Sequence, residues 1–246
     1  MNAGDARDNP ILHALVRGLA GAVGPRLKSV VLYGSAARGD FVRKTSDLNL
    51  IIVVESLDPA TLEGLAPLLK RFLRRGHPVP RLFSPALIAA SADTFPIEFL
   101  EIRSSRAVLY GEDPFAGVAI RRDCLRLQCE REIKEKMMRL REGYVLCHDR
   151  PRTLRRLLAG SYPAFAALFR GGLHLMGREV PAKSGDVVAA FCEAAGLDRA
   201  PFEDVARLRR GERAVEGPKA IFARYYDQLT RAAHHVDRLE TGGGTS

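Results

Sequence analysis

The chain has 246 residues, 46% hydrophobic and 27% charged, enough apolar material for one large domain or two modest ones with buried cores. No apolar run approaches the ~20 residues that span a bilayer, and Met1-Asn2-Ala3-Gly4-Asp5 has neither the basic head nor the apolar stretch of a secretory signal, so a cytoplasmic protein without membrane contact is expected. Charge is uneven: residues 1–120 carry 14 Lys/Arg against 12 Asp/Glu, and residues 121–246 carry 24 against 17.

In chain order, Pro10 to Val23 has apolar residues at Ile11, Leu12, Leu15, Leu19 and Val23, a helical period. Ser29 to Tyr33 reads as a short buried strand ending at Gly34, and Leu48 to Val54 as a second strand whose β-branched run suits burial on both faces. Pro59 to Arg75 returns to helical spacing behind Asp58. Pro80 to Phe83, Ile97 to Ile102 and Ala107 to Tyr110 are further strand candidates. This alternation predicts a small α/β domain with a mixed sheet over residues 1–117.

Beyond Gly117 the pattern is helical. Leu125, Cys129, Ile133, Met137, Leu140 and Tyr144 form one apolar stripe. Thr153 to Met176 follows, with Pro163 expected to break or restart the helix. Ser184 to Ala195, Pro201 to Arg210 and Pro218 to Leu239 complete an all-α bundle over 118–240, and 241–246 is expected to be a disordered tail. Cys124, Cys129, Cys147 and Cys192 show no zinc-type spacing and are expected to be buried, reduced thiols. His234-His235 and the Arg170/His174 pair carry no metal or nuclease pattern. The basic second half can attract polyphosphate or nucleic acid, but it lacks interleaved aromatic and basic residues, so a solvated arginine-rich helix surface explains it as well.

Chemistry concentrates in Val31-Leu32-Tyr33-Gly34-Ser35-Ala36-Ala37-Arg38-Gly39 and the later Ser46-Asp47-Leu48-Asn49-Leu50. Gly34 lets the backbone approach a phosphate closely, Ser35 adds a hydroxyl donor, and the start of a following helix presents unpaired N–H groups to an anion. Arg38 and Lys44 lie beside the motif and are candidate phosphate contacts, though an exposed basic loop would look the same. Positions 47 and 49 share a strand face, where an acid-x-acid pair would aim two carboxylates at magnesium.

The whole string resembles the polymerase-β-like nucleotidyltransferase superfamily, which includes the kanamycin, streptomycin and minimal bacterial nucleotidyltransferases. The motif covers about residues 30–54, and the strand and helix order extends the likeness to about 115. The resemblance implies Gly34, Ser35 and Ser46 at a nucleoside triphosphate, and Asp47, Asn49 and a further acid at divalent metal. Transfer of a nucleoside monophosphate to an acceptor hydroxyl on a small molecule or protein follows. Asn49 stands where the family carries a second carboxylate. Arg81 sits in the strand candidate where a third acid is expected, which leaves Glu98 or Glu101, with Glu98 preferred as catalytic acid and metal ligand. The leading expectation is a magnesium-dependent nucleotidyltransferase. The alternative is a nucleotide-binding pseudoenzyme with a regulatory role, which Asn49 favours.

Overall fold

The computed structural model describes residues 9–38, 48–212 and 216–239, with Ser35 and Arg38 described through their backbone. The chain divides into two compact units, Met1–Ile120 and Arg121–Ser246. Lys44, Ser46, Asp47 and the expected tail lie outside the described residues.

The first unit begins with α1 (Pro10–Val23), where the Asn9 side chain accepts from the Ile11 N–H at 2.9 Å and Pro10 takes the first turn. A single 3-10 turn leads into β1 (Leu27–Tyr33), followed by the four-residue α2 (Ser35–Arg38) and β2 (Asn49–Val54). Next come α3 (Pro59–Leu73), β3 (Arg81–Phe83), α4 (Pro85–Ser91), α5 (Pro96–Ser104) and β4 (Arg106–Gly111). The sheet order is β3-β2-β1-β4. β1 is antiparallel to both β2 and β4, and β3 is parallel to β2, so the sheet is mixed, as expected.

Side-chain alternation divides the sheet residues between two faces. Val30, Leu32, Leu50, Ile52 and Val54 join the apolar stripe of α1 and Leu65, Leu69 and Phe72 of α3 in one core. The other face carries Tyr33, Val31, Asn49, Ile51 and Val53, with Val31, Ile51 and Val53 fully buried. There Phe83 and Phe115 each meet Phe99 edge to face, at 6.0 and 5.5 Å between ring centres. The apolar run of β2 is therefore buried on both sides.

Ile97–Ile102 corrects the sequence reading: it belongs to the helix α5, not to a strand. Pro96 occupies its first turn, and the buried residues Pro96, Phe99 and Ile102 are three apart, a helical spacing. The apparent alternation of Ile97, Phe99 and Glu98 misled because Ile97 and Leu100 are only half-buried. Sequence reading also missed α4, which starts at Ser84-Pro85 with the Leu87 N–H donating to Ser84 Oγ at 3.1 Å.

The second unit is helical: α6 (Arg122–Cys147), α7 (Pro151–Leu175), α8 (Ser184–Ala195), α9 (Ala200–Arg209) and α10 (Pro218–Asp237). The expected stripe of α6 is buried from Leu125 to Leu140, and Tyr144 stacks on Phe222 at 3.9 Å. Pro163 does not break α7, contrary to expectation. It is exposed while Tyr162, Phe165 and Ala166 beside it are buried, so packing holds both halves in line at the cost of one backbone bond. Cys129, Cys147 and Cys192 are buried free thiols, and Cys124 is half-exposed, which departs from the expectation for that residue. Burial pushes the Cys129 and Cys192 thiols up to about 12. His235 packs against Met176 Sδ and the edge of Phe191, and Arg170 donates to the carbonyls of Pro181 and Ala182. Among the described residues no helix is long and apolar enough to cross a membrane.

Candidate functional site

β1 delivers the motif. Its last residue, Tyr33, pairs with Asn49 on one side and Arg106 on the other. Gly34 follows with φ of +80°, which a side chain would strain. A Cβ there would meet Asn49 Nδ2 at 3.3 Å, so the Asn49 carboxamide lies directly against the turn. The Gly34 N–H donates to the Ser105 carbonyl at 3.0 Å, and its own carbonyl accepts from Ala37 N–H at 3.1 Å. Gly34 therefore contributes a bare backbone and a sharp turn, while its N–H is already used. Ser105 is buried and donates through Oγ to the Glu101 carbonyl at 3.0 Å, which ties the end of α5 to the end of β1.

Asn49 opens β2, half-buried, on the same sheet face as Tyr33. Arg81 opens β3 opposite Ile51. Its guanidinium carbon lies 5.7 Å from the centre of the Tyr33 ring, within cation–π range. Burial raises the pKa of the Tyr33 hydroxyl, with Arg81 pulling it down and Glu101 pushing it up. Arg81 and Glu101 thus both reach this end of the sheet.

Glu98 and Glu101 lie on α5, where a spacing of three puts them on one helix face. On a regular strand residues three apart would face opposite sides, so the helix removes any need to choose between the two. Both are half-buried. Arg106, across from Tyr33, is committed elsewhere: it donates to Asp113 at 2.8 and 2.5 Å and to the Arg103 carbonyl. Burial raises the Asp113 carboxyl, but bonds from Arg106 and the Phe115 N–H outweigh it and leave the pKa lowered.

The structure brings Gly34 and Asn49 together, with Arg81 and Glu101 nearby. Ser35 and Arg38 lie on α2, and the positions of Lys44, Ser46 and Asp47 are outside the described residues. Among the described residues no group of three or more His, Cys, Asp or Glu is placed to hold a metal. Sequence reading missed Ser105 as an anchor, and no local signal marks a buried serine that closes a helix onto a strand. A cavity of about 980 Å³ opens at the opposite end of the sheet, around Leu27, Ser29, Val53 and Gly111, and contains none of the motif residues.

The first unit is a small α/β unit with a mixed sheet and the second is helical, an arrangement similar to the nucleotidyltransferase-type fold. A spectinomycin adenyltransferase from Enterococcus faecialis, solved with ATP and spectinomycin, is similar in structure: TM-score 0.54, 10% identity, covering 93% of this chain and 98% of that one. At that identity the likeness is one of fold. No family model matches the sequence, and no curated protein matches it.

Proposed function

We propose that the chain is a nucleotidyltransferase that binds a nucleoside triphosphate at the Gly34 turn and passes its nucleoside monophosphate to a hydroxyl of a small molecule or protein. The observation that carries this reading is the Gly34 turn with Asn49 against it, at the strand ends of a fold similar to that of an ATP-bound adenyltransferase. In the reaction the acceptor oxygen attacks the α-phosphorus, the bond to the bridging oxygen breaks, and pyrophosphate leaves. The hydroxyl proton passes to a carboxylate, for which Glu98 and Glu101 are the candidates. Glu101 is the one whose charge reaches Tyr33. Positioning and charge neutralisation carry most of such a reaction.

The superfamily pattern implies paired magnesium ions between carboxylates and phosphates. The donor set here does not fit a pair. Asn49 offers a neutral oxygen, and Arg81 brings a cation to the strand where a third acid is expected. Asp47 with the phosphates suits one divalent ion.

Melting curves with each of the four triphosphates, with and without magnesium, test binding. Pyrophosphate release on adding an acceptor tests transfer, and spectinomycin is the first acceptor to try because the structural neighbour holds it. Stabilisation by no triphosphate would refute the reading. Stabilisation with no transfer to any acceptor supports the second reading, a nucleotide-binding regulator, which Asn49 and Arg81 favour.

A further inference from the structure

We propose that Arg81 replaces the second metal ion of this site, meeting the triphosphate directly with a guanidinium, so that triphosphate binding depends little on magnesium. The inference rests on the nucleotide reading above.

The register fixes where Arg81 acts. It aligns with Ile51, two residues along β2 from Asn49 and so on the same sheet face. β3 and β1 are two strand spacings apart, about 10 Å. Yet the Arg81 guanidinium carbon lies only 5.7 Å from the centre of the Tyr33 ring on β1. The two side chains therefore meet over the start of β2, on the sheet face that carries Asn49 and at the strand end where Tyr33 pairs with Asn49 and leads into the Gly34 turn.

Its charge is available there. Arg81 is exposed, and among the described residues it makes no ion pair, whereas Arg106 on the other flank of Tyr33 is locked to Asp113. The contact with the Tyr33 ring consumes none of the guanidinium's donors. A planar fork of five donors suits phosphate oxygens better than a point charge does.

Asn49 and Arg81 make sense together. A carboxylate at position 49, on the same sheet face, would compete with phosphate for the guanidinium. An amide leaves the cation free. Relative to two carboxylates, an amide and a guanidinium shift the local charge by about three positive units, more than one magnesium ion brings. The two departures from the superfamily pattern therefore compensate each other for polyphosphate binding.

The test is calorimetric titration of the full chain with ATP, inorganic tripolyphosphate and AMP, in magnesium and in EDTA. The parent should lose less than about tenfold in ATP affinity when EDTA replaces magnesium. Arg81→Gln, which keeps the reach but not the charge, should lose about tenfold or more in EDTA for ATP and tripolyphosphate, and less than about twofold for AMP. Arg81→Lys should keep most of the magnesium-free affinity. Melting without ligand checks that each variant is folded, and the lysine variant carries the comparison should the glutamine variant not fold. Equal affinities of parent and Arg81→Gln in EDTA would overturn the role of Arg81. So would a loss of more than about tenfold by the parent in EDTA, and either result leaves the nucleotide reading standing. A parent that binds no triphosphate in either buffer overturns both.

Discussion

Gly34 and Asn49 hold each other in place: the turn has φ of +80°, and the Asn49 amide nitrogen fills the space 3.3 Å from where a Cβ would stand. Gly34→Ala meets both obstacles. Forcing alanine into the left-handed region costs about 1–2 kcal/mol before Asn49 moves. The variant should unfold at lower urea, and triphosphate should stabilise it less than the parent. Asn49→Ala should relieve the contact but not the backbone strain. The double variant is thus expected to be more stable than the two single losses added together. Strict additivity in urea melts would mean that the two residues do not touch.

For the phosphate contact, Ser35→Ala should weaken triphosphate affinity by about 1.5–3 kcal/mol, the worth of a hydrogen bond to a charged oxygen. Ser104→Ala is the control. Ser104 is exposed and its hydroxyl bonds the Glu101 carbonyl within its own helix. Calorimetry on both variants decides, and equal affinities for Ser35→Ala and the parent would remove Ser35 from the site.

Asp58 makes a pH-dependent contribution to the helix that backs the sheet. Its carboxylate accepts from the Ser56 hydroxyl and the Thr61 N–H, which hold the pKa down to about 2 from an ordinary value near 3.8. A lowered pKa means that the folded state favours the ionised form. The contribution is therefore complete above about pH 4 and is lost as the pH falls through 2. Asp58→Asn can keep a capping oxygen but has no proton to lose there. Melting temperatures between pH 5 and 2 should fall more for the parent than for Asp58→Asn. Parallel curves would show that the cap is not linked to protons.

Most of the fold was legible because its helices carry single apolar stripes and its central strands are β-branched runs. Residues Ile97–Ile102 were not, because apolar residues at 97, 99, 100 and 102 fit either period. Only burial picks Phe99 and Ile102 as the inward pair. Pro163 misled for a related reason. A proline predicts the loss of a local bond, while the packing of Tyr162 and Phe165 that offsets it is tertiary. At the site, Gly34 and Asn49 were legible as a motif. The reach of Arg81 over Tyr33 depends on the parallel register of β3 with β2, a long-range pairing without a local signature.

Asn49→Asp tests how the site balances charge. In EDTA the new carboxylate would face the phosphates and pair with the Arg81 guanidinium, so triphosphate affinity should drop by about tenfold or more. In millimolar magnesium the same carboxylate would gain a cation to share with Asp47, and the loss should vanish or turn into a gain. The substitution is therefore expected to convert a site that depends little on magnesium into one that depends strongly on it. Any transfer rate should rise with magnesium more steeply than in the parent. Without ligand or metal the variant should melt close to the parent, because Arg81 offsets the repulsion between the two acids. Combining Asn49→Asp with Arg81→Gln removes that offset. The double variant should then melt lower than either single variant in EDTA and recover on adding magnesium. Calorimetry and melting across a magnesium series on these four proteins measure each term. An Asn49→Asp variant with the same dependence on magnesium as the parent would show that position 49 does not face the phosphates.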